Sequence, residues 1–124
     1  MNSRTFARLV LTVALLAFAL LGLALRLKIR NTMVVANQSG SLVKQVEVTV
    51  CGTRHAFGEM KDGEIRKQHF AIKGDGSFLV VATWADGMAS TNGFGYVTGG
   101  TMGYGNRAEI ELTRERAIVG KHHP

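Results

Sequence analysis

The sequence predicts a small all-β domain, an immunoglobulin-like or fibronectin-like antiparallel sandwich of about seven strands, behind one N-terminal transmembrane helix. Three observations predict it. Residues 9–25 run without a charge, as a membrane-crossing helix must. Beyond them the continuous apolar run gives way to short alternating stretches, the period of strands rather than helices. Gly and Asp then punctuate those stretches, as at Gly52, Gly74-Asp75-Gly76 and Asp86-Gly87, which is the chemistry of tight turns.

As a helix, the run from Leu9 to Leu25 spans about 25 Å at ~1.5 Å per residue, the short end of a bilayer crossing. Arg4, Arg8, Arg26, Lys28 and Arg30 flank it. A cleavable signal peptide is the rival reading. Arg4 and Arg8 make a positive start, and Gly22-Leu23-Ala24 imitates a small-x-small cleavage site. Against cleavage, the apolar run exceeds the usual length of such signals and abuts the site with no polar stretch before Arg26. The flanking charges nearly balance. A short N-terminal tail ahead of a domain favours an exported, periplasmic domain on the bacterial inner membrane; secretion after cleavage is the alternative.

The net charge of +6 would ordinarily suggest nucleic acid. Five of the fifteen Lys and Arg flank the apolar segment, however, and from Asn31 onward ten face nine Asp and Glu. The basicity therefore reads as membrane anchoring, with the bilayer rather than a nucleic acid as partner. Cys51 is the single cysteine, so no internal disulfide staples the fold.

The expected organisation is a tail and signal-anchor helix over 1–26, a sandwich over 27–114 and a disordered tail over 115–124. Strands are expected at 27–36, 43–51, 54–57, 65–72, 77–85, 88–94 and 107–113. Gly52-Thr53 as a two-residue turn pairs Val50 with His55. Gly74-Asp75-Gly76 as a hairpin loop pairs Phe70 with Val80. Asp86-Gly87 as a type I′ turn pairs Thr83 with Ser90, which together make a meander. In 107–113 strict alternation sends Ala108, Ile110 and Leu112 inward and Glu109 and Glu111 outward. Residues 78–82, apolar on both sides, suggest a central strand covered on both faces, or a face that binds something.

Chemistry is sparse. Cys51 and His55 invite a thiolate–imidazole pair, or a metal site with His69, but the expected register puts them on opposite faces. His122 and His123 read as a frayed end. No catalytic, cofactor-binding or metal-ligating residue is assigned, and a non-catalytic protein is expected. The most unusual stretch is 93–105, where six glycines interleave with Phe94, Tyr96, Val97, Met102 and Tyr104. It lacks the Lys-Ser/Thr ending and the helix that a phosphate-binding loop needs. It reads either as a corner where the chain crosses between sheets or as a recognition loop, in which those five residues contact a protein partner.

Asn37-Gln38-Ser39-Gly40, Val46-Glu47-Val48-Thr49-Val50, Gly63-Glu64, Gly74-Asp75-Gly76, Asp86-Gly87 and Gly95-Tyr96-Val97 together resemble small, functionally unassigned bacterial envelope proteins with an immunoglobulin-like domain behind a signal or anchor. The resemblance implies fold and compartment and transfers no site residue. The expected function is a membrane-anchored binding or assembly module using the Gly/aromatic loop or an edge strand. The alternative is an envelope inhibitor or immunity-type protein acting against a toxin or hydrolase.

Overall fold

The computed structural model describes residues 2–28, 30–99 and 105–124, the side chains of 26–28 excepted. It divides into two compact units, Met1–Arg30 and Asn31–Pro124.

The first unit is one helix, α1 (Ser3–Lys28). The Asn2 carbonyl accepts the first helical bonds from the amides of Thr5 (2.9 Å) and Phe6 (3.1 Å). Within Ser3–Leu25 an 18-residue stretch reaches a mean hydropathy of 2.4, and none of it is buried within the protein. Between Arg8 and Arg26 the helix carries no charge on any face. Its length and composition suit either a membrane anchor or a signal sequence.

The second unit holds eight strands: β1 (Asn31–Asn37), β2 (Val43–Val50), β3 (Thr53–Met60), β4 (Ile65–Phe70), β5 (Gly76–Trp84), β6 (Ala89–Val97), β7 (Arg107–Leu112) and β8 (Ile118–His123). They form two four-stranded sheets, ordered β4-β1-β7-β8 and β3-β2-β5-β6. The expected count of seven is thus corrected to eight. The eighth strand lies within the 115–124 segment expected to be disordered, and the first begins at Asn31 rather than 27. β1 runs parallel to β7, so the sandwich is not antiparallel throughout. Its order also differs from the ABED/CFG arrangement of an immunoglobulin constant domain.

Alternation fills the space between the sheets. Met33 and Val35 of β1 and Ala108, Ile110 and Leu112 of β7 face Val46, Val48 and Val50 of β2 and Phe78, Val80, Ala82 and Trp84 of β5, all of them buried. Each such Val, Ile, Leu, Met or Phe side chain contributes about 1.5–3 kcal/mol of transfer free energy, and the two alanines less. The polar end of Trp84 is satisfied: its Nε1 donates to Ser90 Oγ (2.9 Å), which donates to the Arg116 carbonyl (2.7 Å).

The turns correct the expected registers. Cys51 and Gly52, at φ 51° and 73°, are the two central residues of the β2–β3 turn. Both left-handed angles are what a type I′ hairpin requires, and Val50 pairs with Thr53 rather than with His55. At Asp86-Gly87 the loop has three residues. Gly87 N donates to Trp84 O (2.9 Å) and Trp84 N to Met88 O (2.8 Å), with Gly87 at φ 85° in the bulge position. Ala82, not Thr83, therefore pairs with Ser90. That single step reverses the face of β6 side chains. Gly74-Asp75-Gly76 is not a hairpin loop, because β4 pairs with β1 whereas β5 pairs with β2 and β6. The chain changes sheet there, so the expected meander does not form. β5 is central, but its outer side is not covered: Leu79 is 45% exposed.

Side chains close both lateral seams of the sandwich. Along one, Arg66 donates to the Phe57 carbonyl and Gln68 Nε2 to the Ala56 carbonyl (3.1 Å), tying β4 to β3. Along the other, Asn92 Nδ2 donates to the Ile118 carbonyl (2.7 Å), while Phe94 lies directly over Gly120, where a Cβ would come within 2.2 Å of the ring. These bonds occupy carbonyls that an edge strand would otherwise offer to another chain.

Candidate functional site

The structure divides the five residues expected to form a recognition loop. Val97 is buried. Phe94 is half-buried and stacks on Phe78 (centroids 5.0 Å apart, planes 12° apart), so it belongs to the core and to the β6/β8 seam. Tyr96 is 58% exposed. Met102 and Tyr104 lie outside the described residues. Gly93–Val97 is strand rather than loop, and Gly95, at φ 63°, occupies a bulge against which His122 packs.

Cys51 and His55 do not form a pair. Cys51 occupies the β2–β3 turn and its thiol donates to the Gly74 carbonyl (3.2 Å), whereas His55 is paired with Val48, where burial lowers its pKa. His69 stands on the other sheet, 3.3 Å from Thr32 Oγ1. Among the described residues, no group of three or more His, Cys, Asp and Glu side chains converges as a metal site would require. His122 is no frayed end. Its Nε2 lies 2.8 Å from Asn106 Oδ1, an atom that only accepts, so this nitrogen carries the proton. Burial, with some help from His123, holds the His122 pKa below its ordinary value. Asn106 in turn donates to Asn31 Oδ1 through both its backbone N (3.0 Å) and Nδ2 (3.2 Å), linking β8 to the start of β1.

Of the residues expected to flank a membrane, Arg4 and Arg8 stand exposed in the first turns of α1, Arg26 and Lys28 fall in its last turn, and Arg30 is exposed ahead of β1.

The most developed surface is one that motif reading does not reach, the outer face of the β4-β1-β7-β8 sheet. The registers lay its side chains out in three rows. Ile65, Ala36, Glu111 and Val119 make the first, Lys67, Val34, Glu109 and Lys121 the second, and His69, Thr32, Arg107 and His123 the third. The first row, with Val34, Glu109 and Lys121 of the second, lines an open groove of about 380 Å³. Ile65 (62% exposed) and Val119 (45%) form its two apolar banks. Arg107 Nε donates to Glu109 Oε1 (2.9 Å), and that bond holds the Glu109 carboxyl below the usual carboxylate range. Only one signal for this surface existed in the sequence: Met33-Val34-Val35-Ala36 is apolar on both faces of its strand.

The outer face of the β3-β2-β5-β6 sheet is different in kind. Its rows run Arg54, Thr49, Leu79, Gly93 and Ala56, Glu47, Val81, Thr91.

No protein-family model and no curated protein matches the chain. Among solved structures, it is similar to the NMR structure of a protein from Eubacterium rectale. The two are 19% identical, the match covers 74% of this chain and 86% of that one, and the TM-score is 0.53. At that identity the likeness concerns the fold alone: a distant neighbour with the same β-rich architecture.

Proposed function

We propose that this chain is a non-catalytic binding or assembly module, held at the bacterial inner membrane by α1 with its sandwich exported, and that the groove on the β4-β1-β7-β8 sheet receives a protein partner. The observation that carries the reading is the groove itself. Its about 380 Å³ lies in the range of binding clefts, and exposed apolar banks beside charged groups are what a contact surface offers. Closure of both seams argues against strand addition at an edge. Full burial of Val97 and packing of the partly buried Phe94 against the core argue against the Gly/aromatic segment as the main contact. The uncovered apolar length of α1 supports the anchor.

The test uses the full chain in a bacterial host. The protein is expected in carbonate-washed membranes at its unprocessed mass, cross-linking to the same partner before and after Tyr96→Ser. Ile65→Asp with Val119→Asp is expected to abolish that cross-link. Recovery of a processed, soluble form would contradict the anchor. A cross-link lost with Tyr96→Ser but kept with the groove variant would contradict the groove.

A further inference from the structure

The sandwich has two chemically different ends. At the distal end the loops at 38–42, 61–64, 85–88 and 113–117 gather, linked by Gly40 N to Asp62 Oδ1 (2.9 Å) and Arg116 Nη1 to Asp86 Oδ2 (2.7 Å). At the entry end, where the chain leaves α1, lie Asn31, Phe70, Arg107 and His123. Contacts of Phe78 with Phe70 and His122, and of Cys51 with Gly74, bring the 71–75 segment and the β2–β3 turn to the same end.

Charge follows this division. The entry half carries Arg54, Lys67, Lys73, Arg107 and Lys121 against Glu47, Asp75 and Glu109, with all four histidines. The distal half carries five Lys and Arg against six Asp and Glu. A domain nearly neutral as a whole is therefore polarised. Arg26, Lys28 and Arg30 precede the entry end in the chain with no acidic residue among them, and two residues alone separate α1 from β1. Lys67, Lys73 and Lys121 are exposed and make no ion pair among the described residues. In water such ammonium groups contribute little; beside an anionic bilayer each is attracted to the surface potential.

We infer that the entry end of the sandwich rests on anionic lipid headgroups, with Lys73 and Arg107 nearest the headgroup phosphates, Lys67 and Lys121 reaching toward them from the next row of the sheet, and the apolar banks of the groove left to the partner. This inference rests on α1 being retained as an anchor. It adds a second, electrostatic contact that fixes which end of the domain meets the bilayer.

The experiment is amide hydrogen exchange on the full chain in nanodiscs of pure phosphatidylcholine or of phosphatidylcholine with phosphatidylglycerol. In anionic discs, exchange at 50–53 and 71–75 is expected to slow about tenfold relative to neutral discs, in line with the pull of a few cations near the surface. The slowing should vanish at about 0.5 M salt, where screening is nearly complete. Lys67→Glu with Lys73→Glu and Lys121→Glu should also remove it. The same charge change at the distal end, Lys44→Glu with Lys61→Glu and Arg114→Glu, should leave it intact, and exchange in β2 and β5 reports whether each variant remains folded. Equal exchange in both lipids, or equal loss from the two triple variants, would overturn the inference. A chain that stays in neither kind of disc would instead overturn the anchor, and the inference with it.

Discussion

The two seams of the sandwich do the same job with different parts. β4 reaches β3 through Arg66 and Gln68, long side chains spanning a gap to the Phe57 and Ala56 carbonyls. β6 approaches β8 so closely that glycine is needed on both sides: Gly120 lies under the Phe94 ring, and Gly95 faces His122. A seam bridged by long side chains can lose one and relax. A seam built on backbone approach cannot accept even a methyl group without moving an aromatic ring. The difference explains part of the Gly/aromatic stretch as packing, and with both seams occupied a sheet face rather than an edge or a loop is the surface proposed for contact.

The two seams should differ in their tolerance of substitution. Gly120→Ala should have the largest effect. Its Cβ would sit 2.2 Å from Phe94 Cδ1, and overpacking of this kind costs about 1–3 kcal/mol; the upper part of that range is expected, because the ring is held by its stack on Phe78. Chemical denaturation would reveal it as a lower midpoint at unchanged slope. Phe94→Ala should follow at about 2 kcal/mol, less than a fully buried Phe because the ring is only partly buried. Asn92→Ala removes the bond to the Ile118 carbonyl and should cost about 1 kcal/mol. Gln68→Ala, at the forgiving seam, should cost about 0.5 kcal/mol, since water can replace its bond to Ala56. If Gln68→Ala proved as damaging as Gly120→Ala, the contrast between the seams would be lost.

The β6/β8 seam also carries a pH dependence with a definite sign. Burial holds the pKa of His122 below its unfolded value, so the fold favours the neutral ring. Stability is then full above about pH 6.5 and declines as pH falls below that value toward the depressed folded pKa. His55 is shifted in the same direction. Denaturation midpoints at pH 7 and pH 5 should differ less for His122→Gln than for the unaltered chain, and an equal difference would show that His122 is not part of the dependence.

Much of this architecture is legible in the sequence. The apolar helix, the approximate places of seven of the eight strands and the inward face of β7 follow from periodicity. What periodicity could not supply was which strands pair. Gly74-Asp75-Gly76 carries the chemistry of a hairpin, yet Asp75 Oδ1 accepts Gly99 N (2.9 Å) and the strands on either side enter different sheets. β8 was illegible for a related reason. Its inward positions are Ile118, Gly120 and His122, and the last two suit that face only because Phe94 covers Gly120 and Asn106 takes up the imidazole. No motif marks the groove. It arises when Ile65, Val34, Ala36 and Val119, spread over three strands distant in the chain, are brought side by side.

The proposal that the β4-β1-β7-β8 face is the contact surface is tested most directly by site-specific photocross-linking of the full chain in living cells. A photoreactive side chain placed at Val34 or Val119 should yield a discrete protein adduct, while the same side chain at Val81 or Thr91 on the opposite outer face should yield none. Adducts from Val81 and Thr91 with none from Val34 and Val119 would contradict the account.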